Sequence, residues 1–249
     1  MNVGLYQSAA SLSALERWQE AVSQNITSSE VTAYKKRTIS FSGQASGELL
    51  IDPKSRAGHG EGQSAVFPVA SSSINFLPGE TKPTGRKLDF ALQGEGFFEV
   101  QMPDGTRAYT REGEFQLRAD RTVVTGQGAN VLLTGGTPLQ LNAGKGDLVI
   151  NADGTVLQGN KSLGKLSIQT FAKPGQLLSL SAGLFGAPSG MDPTPVAQPA
   201  VIQGSLESSN LTSLHEMVDL VTISRAYEAN QKIITSSDDR LDKTIQAFG

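Results

Sequence analysis

The chain has 249 residues, 21 basic and 24 acidic side chains for a net charge of −3, 38% hydrophobic residues, 27 glycines, 11 prolines and no cysteine. This excludes disulfides and thiolate-ligated metal sites and a highly charged disordered chain, and the charge balance gives no reason to expect a nucleic-acid partner, which needs a clustered basic face. The start, MNVGLYQSAA, lacks the parts of a conventional signal peptide, and no stretch reaches the apolar length of a spanning helix, so no lipid bilayer insertion is expected and export would take another route.

In chain order, residues 1–41 read as an N-terminal helix and turn. Leu5, Leu12, Leu15, Val22 and Ile26 follow a three-four spacing, with Ser8 and Gln19 as polar members and neither Gly nor Pro between Leu5 and Ile26. Trp18 lies off that seam and fits either a widened apolar face or a contact to a neighbouring subunit. Lys35-Lys36-Arg37, the one basic run, is expected as a solvated junction. Residues 42–80 are Gly- and Ser-rich and are expected as a partly extended arm.

From residue 81 to 186, Gly and Pro punctuate short runs of strand character, among them Leu88–Leu92, Phe97–Gln101, Phe115–Arg118, Thr122–Thr125, Val131–Thr134, Leu148–Ile150, Lys165–Phe171 and Leu177–Leu180. Pro103-Asp104-Gly105 and Ala152-Asp153-Gly154 read as tight turns. Without helical periods between the strands, this is a β domain and not a series of βαβ units. Residues 187–211 hold several prolines and read as a connector.

The last segment, 212–249, is a long amphipathic helix. Met217, Leu220, Ser224, Tyr227, Gln231, Ile234, Asp238, Leu241, Ile245 and Phe248 keep unbroken three-four spacing, and Asn210 or Thr212 can cap the start. The fold expected is a mainly β central domain with long N- and C-terminal α-helices that pair as a coiled-coil-like stalk. Outward-facing apolar residues on that stalk call for further helices, most simply those of neighbouring copies, and the ends have little core of their own before assembly.

Chemical motifs fail on their details. Gly159-Asn160-Lys161-Ser162-Leu163-Gly164-Lys165 approaches a phosphate loop, but Leu166 stands where a Mg²⁺-binding hydroxyl is needed, and the stretch is expected as a polar hairpin turn. Ser162-x-x-Lys165 lacks any companion motif. His215 and Asp219 share a helical spacing, yet the other histidine, His59, is remote in a Gly-rich stretch, so no metal site, cofactor or catalytic group is expected. Gly94-x-Gly96 sits between two strands and reads as a turn with positive backbone angles. Asn25, Asn160 and Asn210 match glycan-acceptor triplets, with helix capping the favoured role at Asn25 and Asn210.

Two blocks carry a family pattern. The first runs Gly204-Ser205-Leu206-Glu207-Ser208-Ser209-Asn210-Leu211, then Glu216-Met217-Val218-Asp219-Leu220, then Arg225-Ala226-Tyr227-Glu228-Ala229-Asn230. The second runs Thr84-Gly85, Asp89-Phe90-Ala91-Leu92, Gly94, Gly96-Phe97-Phe98, Val100, and then Tyr109-Thr110-Arg111, Gly113 and Phe115. The chain resembles the bacterial flagellar basal-body rod and hook family over nearly its whole length. It departs at Gln24-Asn25-Ile26-Thr27-Ser28, at Ala33 where the family has glycine, and at Asp120-Arg121 where many members have Asp-Gly.

The resemblance implies a non-enzymatic, self-assembling structural subunit of the rod, passed out by the flagellar export apparatus and forming a helical homo-oligomer across the periplasm. Neighbouring rod and hook proteins are the implied partners. Leu5, Leu12, Leu15, Val22, Ile26, Met217, Leu220, Tyr227, Ile234, Leu241 and Ile245 are the expected assembly interface. An alternative is a secreted binding or adhesive module that displays its β domain on a helical stalk.

Overall fold

A computed structural model describes residues 3–45, 66–144, 146–181 and 183–248. The chain divides into two compact units, one of residues 1–26, 37–73 and 213–249, the other of residues 27–36 and 74–212.

The first unit holds helices α1 (Val3–Thr27) and α2 (Ser213–Phe248) and the strands β1 (Arg37–Ala45) and β2 (Val66–Ile74). The helices pack together, as the apolar seams predict. On α1, Ser8, Ala14, Leu15, Ala21, Val22 and Asn25 are buried at helical spacing, while Leu12 and Ile26 are half-buried. The 36 residues of α2 span about 54 Å. Its covered stripe is Glu216, Leu220, Ile223, Tyr227, Asn230, Ile234 and Ser237. Leu220, Tyr227 and Ile234 belong to the expected seam; its other described members, Met217, Ser224, Gln231 and Asp238, lie one position off the stripe and are exposed. A buried glutamate at position 216 turns the helix by that one residue, and apolar spacing alone gives no sign of it.

β1 and β2 pair as a two-stranded ribbon, occupying both described ends of the stretch expected as an arm. Residues 46–65 of that stretch, His59 among them, lie outside the described residues. Trp18 meets the edge of Phe41 with ring centroids 5.6 Å apart, so its contact is to the ribbon. Exposed on its other side, Phe41 leaves the ribbon with little core of its own.

The second unit is antiparallel throughout its ladders. Its largest sheet follows the order β14 (Leu178–Ser181), β15 (Leu184–Gly186), β6 (Arg107–Thr110), β5 (Phe97–Gln101), β9 (Asn130–Val131), β8 (Val123–Thr125) and β7 (Phe115–Leu117). β13 (Ile168–Thr170) joins β5 and β16 (Thr194–Pro195). A second sheet is β10 (Leu148–Ile150), β11 (Thr155–Gln158) and β12 (Lys161–Lys165). Two further ladders pair β17 (Ala200–Gln203) with β4 (Phe90–Gln93) and β18 (Ser205–Glu207) with β3 (Thr81–Pro83).

Strand alternation explains two cores. Successive side chains on β5 point to opposite faces: Phe98 and Val100 enter the main core with Phe90, Phe115, Val123 and Leu184, while Phe97 enters an aromatic cluster with Tyr109, Phe171 and Phe185. The segment 187–211, expected as a connector, instead supplies β16, β17 and β18 to these sheets. Lys161–Lys165, expected as a turn, is a strand; the turn is confined to Gly159 and Asn160. The expected turns at Asp104-Gly105 and Asp153-Gly154 are present, closed by the Gly105 amide to the Met102 carbonyl and the Gly154 amide to the Asn151 carbonyl.

Candidate functional site

Among the described residues no group of three or more His, Asp or Glu side chains is placed to hold a metal. His215 is exposed on the first turn of α2. A cleft of about 410 Å³ in the β unit contains Glu99, Arg107, Ser167 and Gln169. Its polar groups satisfy one another: Glu99 accepts hydrogen bonds from Arg107 at 2.9 Å and from Ser167 at 2.5 Å.

The family-pattern residues converge elsewhere, on a buried ionic knot. Glu207, at the end of β18, accepts Lys35 Nζ at 2.5 Å and the Gly79 amide at 2.8 Å through Oε1, and Arg111 Nη1 at 3.4 Å through Oε2. All three side chains are almost fully buried. Lys35 also donates to the Leu77 carbonyl at 3.0 Å. Arg111 donates to the carbonyls of Leu92 at 3.3 Å and Gly94 at 2.6 Å, and its guanidinium lies 5.5 Å from the centroid of the Phe97 ring. Burial pushes the Lys35 ammonium below the usual lysine range, against the pull of Glu207, and burial likewise lowers Arg111.

Local chain geometry puts these groups in place. Gly94 and Gly96 have φ of 97° and 121°, as the turn between β4 and β5 requires, and a Cβ on Gly96 would lie 3.0 Å from Ile168 and Val196 side-chain carbons. A Cβ on Gly79 would run into the Ser208 carbonyl oxygen, so glycine alone lets residues 79 and 208 meet. Ala33, with φ of 56°, stands in the left-handed region and sends its amide to the Glu207 carbonyl at 2.8 Å. The basic run is therefore no solvated junction: residues 33–36 are strapped into the β unit. Asn210 completes the strap, accepting the Lys36 amide at 2.8 Å and donating to the carbonyls of Asn75 and Leu77. That use of its amide replaces the helix-capping role expected of it.

In the first unit, Asn25 is fully buried. Its Oδ1 accepts the Arg37 amide, and its Nδ2 donates to the Arg37 carbonyl and to Glu216 Oε2, each at 2.9 Å. Burial removes it as a glycan acceptor, and these bonds give it a junction role in place of a cap.

The other pattern residues divide by exposure. Leu206 and Tyr109 are buried, and Tyr109 stands edge-on to Phe171 at 4.8 Å. Asn230 donates back to the Ala226 carbonyl at 3.0 Å, and Arg225 is exposed. Met217 and Val218 are 51% and 58% exposed and line up with exposed Leu214 and Val221. Of the expected interface residues, Leu15 and Val22 are buried. The side chains of Leu5, Leu241 and Ile245 lie outside the described residues.

The chain thus combines one unit of two long packed helices with a second, antiparallel β unit held by tight glycine turns and a buried ionic knot. Residues 91–158 match the family described as flagellar hook protein FlgE/F/G D1 domain, and residues 202–247 match flagellar basal body rod FlgEFG protein C-terminal. The chain is 31% identical over 254 residues to flagellar basal-body rod protein FlgF of Rhizobium meliloti, covering 100% of this chain and 99% of that protein. It is 32% identical over 249 residues to FlgG of Agrobacterium fabrum, covering 93% and 94%, and 30% identical over 258 residues to FlgF of Caulobacter vibrioides, covering 100% and 99%. The chain belongs to the flagellar basal-body rod protein family, in its FlgF/FlgG group.

Lys35, Gly79, Ala33 and Asn25 were not singled out by sequence reasoning as site residues. Lys35 had a signal, being a lysine inside a short polar strap that ends one helix and opens a strand. The others acquire their roles through partners far along the chain.

Proposed function

We propose that this protein is a structural subunit of the flagellar rod. Copies stack into a helical tube across the periplasm, pass torque along it, and meet neighbouring rod and hook proteins at its ends after delivery by the flagellar export apparatus. The observation that carries this reading is the exposed row Leu214, Met217, Val218 and Val221 on α2, inside the family's C-terminal match. Spaced i, i+3, i+4, i+7, it is one continuous apolar stripe turned away from the covered face.

The full chain is expected to form filaments or rings at high concentration, and M217D/V221D is expected to stay monomeric with unchanged circular dichroism. Sedimentation reads the outcome; polymers of normal length from the variant overturn the role given to this face. FlgF and FlgG relatives match this chain at similar identity, 31% and 30% against 32%, and both a proximal and a distal position in the rod are compatible with that. Imaging basal bodies from a deletion strain separates them by where the axial structure stops.

A further inference from the structure

We infer that Asn25 and Glu216 form a registration lock, a buried polar pair that selects one alignment of α1 against α2 among apolar alignments of nearly equal merit. The inference concerns one chain and holds whatever the chain builds.

The apolar surfaces alone cannot select. On α1, Ala14 and Ala21 are seven residues apart, as are Leu15 and Val22, and all four are buried. On α2, the half-buried Leu220, Tyr227 and Ile234 repeat at the same interval, and among its described side chains Ile223 is the one fully buried hydrophobic residue. Sliding one helix by seven residues, about 10 Å, therefore places like on like at Ala14/Ala21 and Leu15/Val22 on α1 and at Leu220, Tyr227 and Ile234 on α2. Small side chains at Ala14 and Ala21 make few knobs deep enough to object.

The polar pair is different because nothing repeats it. Seven residues before Asn25 stands Trp18, and seven after Glu216 stands Ile223. In a slipped alignment the Glu216 carboxylate would face apolar side chains while the Asn25 amide lost an acceptor, and an unmatched buried polar group is costly in a way that a shifted leucine is not. Asn25 is itself held by both backbone groups of Arg37, so its amide cannot swing to follow a sliding partner. The pair thus acts as a single polar position does in a coiled coil, giving alignment at some expense in stability.

The test uses the full chain at dilution. Because the protein has no cysteine, Glu16→Cys and Glu228→Cys, both at exposed positions, take spin labels without interference. The labelled parent is expected to give one narrow distance population. N25L/E216L is expected to keep its helical circular dichroism and melting midpoint but to show a second population, displaced by up to about 10 Å. E216Q, which still accepts from the Asn25 amide, is expected to restore the single population. A single unshifted population in N25L/E216L overturns the inference. So does loss of its helical signal, which would make the pair a stability element, and so does a broad distribution in the parent.

Discussion

Replacing Glu207 with glutamine tests the ionic knot most directly, because it removes a charge and keeps the shape. In the native chain one carboxylate serves two buried cations, Lys35 and Arg111, and also accepts the Gly79 amide. E207Q leaves an ammonium and a guanidinium side by side in a site that already disfavours both charges. Removing one partner of a buried pair costs about 3–5 kcal/mol, and losing the anion common to two cations belongs at the upper end. Against a total stability of about 5–15 kcal/mol this is a large fraction. K35M should cost less, since Glu207 keeps Arg111, and K35M/E207Q should recover part of the E207Q loss because one unpaired cation is gone. Hydrogen exchange at the amides of Ala33 and Gly79, both bonded to Glu207, reads the effect locally and avoids assuming that the two units unfold together. The knot also has a pH signature. The native pKa of Lys35 is depressed, so between that value and 10.5 the unfolded chain binds the extra proton and stability rises with pH. K35M should flatten that slope. An E207Q protein within about 1 kcal/mol of the parent would refute the reasoning, because no buried pair of this kind is so dispensable.

Three turns share one design: Asp104, Asp120 and Asp153 each accept the amide of the threonine two residues on, at 2.8, 3.0 and 3.1 Å. Between them stand Gly105, Arg121 and Gly154, with φ of 87°, 67° and 81°. Relief of the left-handed strain, about 1–2 kcal/mol, exceeds the extra freedom of unfolded glycine, about 0.5–1 kcal/mol, so R121G should stabilise the β unit by about 0.5–1 kcal/mol. R121A should not, and equal urea midpoints for the two variants would sink the idea. Glu112 has its pKa raised, first by burial and then by Glu114. Its native form holds a proton above 4.5, so its contribution is present at low pH and lost as pH rises through the native value. E112Q should therefore raise the unfolding midpoint at pH 7 and leave it unchanged below pH 4.

What was legible followed from periodicity. The run FFEVQ places Phe98 and Val100 on one side and Phe97 on the other, and both cores appear where that alternation directs them. The 36 residues of α2 were equally plain, with no helix breaker among them. Short strands were uneven: Phe115–Leu117, Val123–Thr125 and Leu148–Ile150 fall inside expected runs, whereas β3, β16, β17 and β18 do not. β17 and β18 hide among prolines because their hydrogen-bond partners, β4 and β3, lie far back in the sequence, and pairing of that range leaves no local pattern. Lys35 and Asn25 show the same limit at single residues. A lysine between lysine and tyrosine reads as solvated, and an asparagine at a helix end reads as a cap. Only the carboxylates of Glu207 and Glu216 reverse those readings.

On the proposed role the two faces of α2 have separate duties, and burial energies set the manner of assembly to expect. The covered face spends burial on a glutamate, giving alignment at the expense of stability. The outer face keeps Leu214, Met217, Val218 and Val221 between 51% and 68% exposed. Fully burying such side chains is worth about 1.5–3 kcal/mol each, and roughly half of that remains to be gained, so the four together offer about 3–6 kcal/mol. Bringing two proteins together costs about 4–15 kcal/mol of lost freedom. One contact of this kind scarcely balances that cost, whereas a copy entering a lattice makes several contacts for one loss of freedom. Subunits of this design are therefore expected to remain separate in dilute solution and to assemble steeply above a threshold concentration. Stable dimers far below that threshold would show that some other surface, and not this stripe, joins the copies.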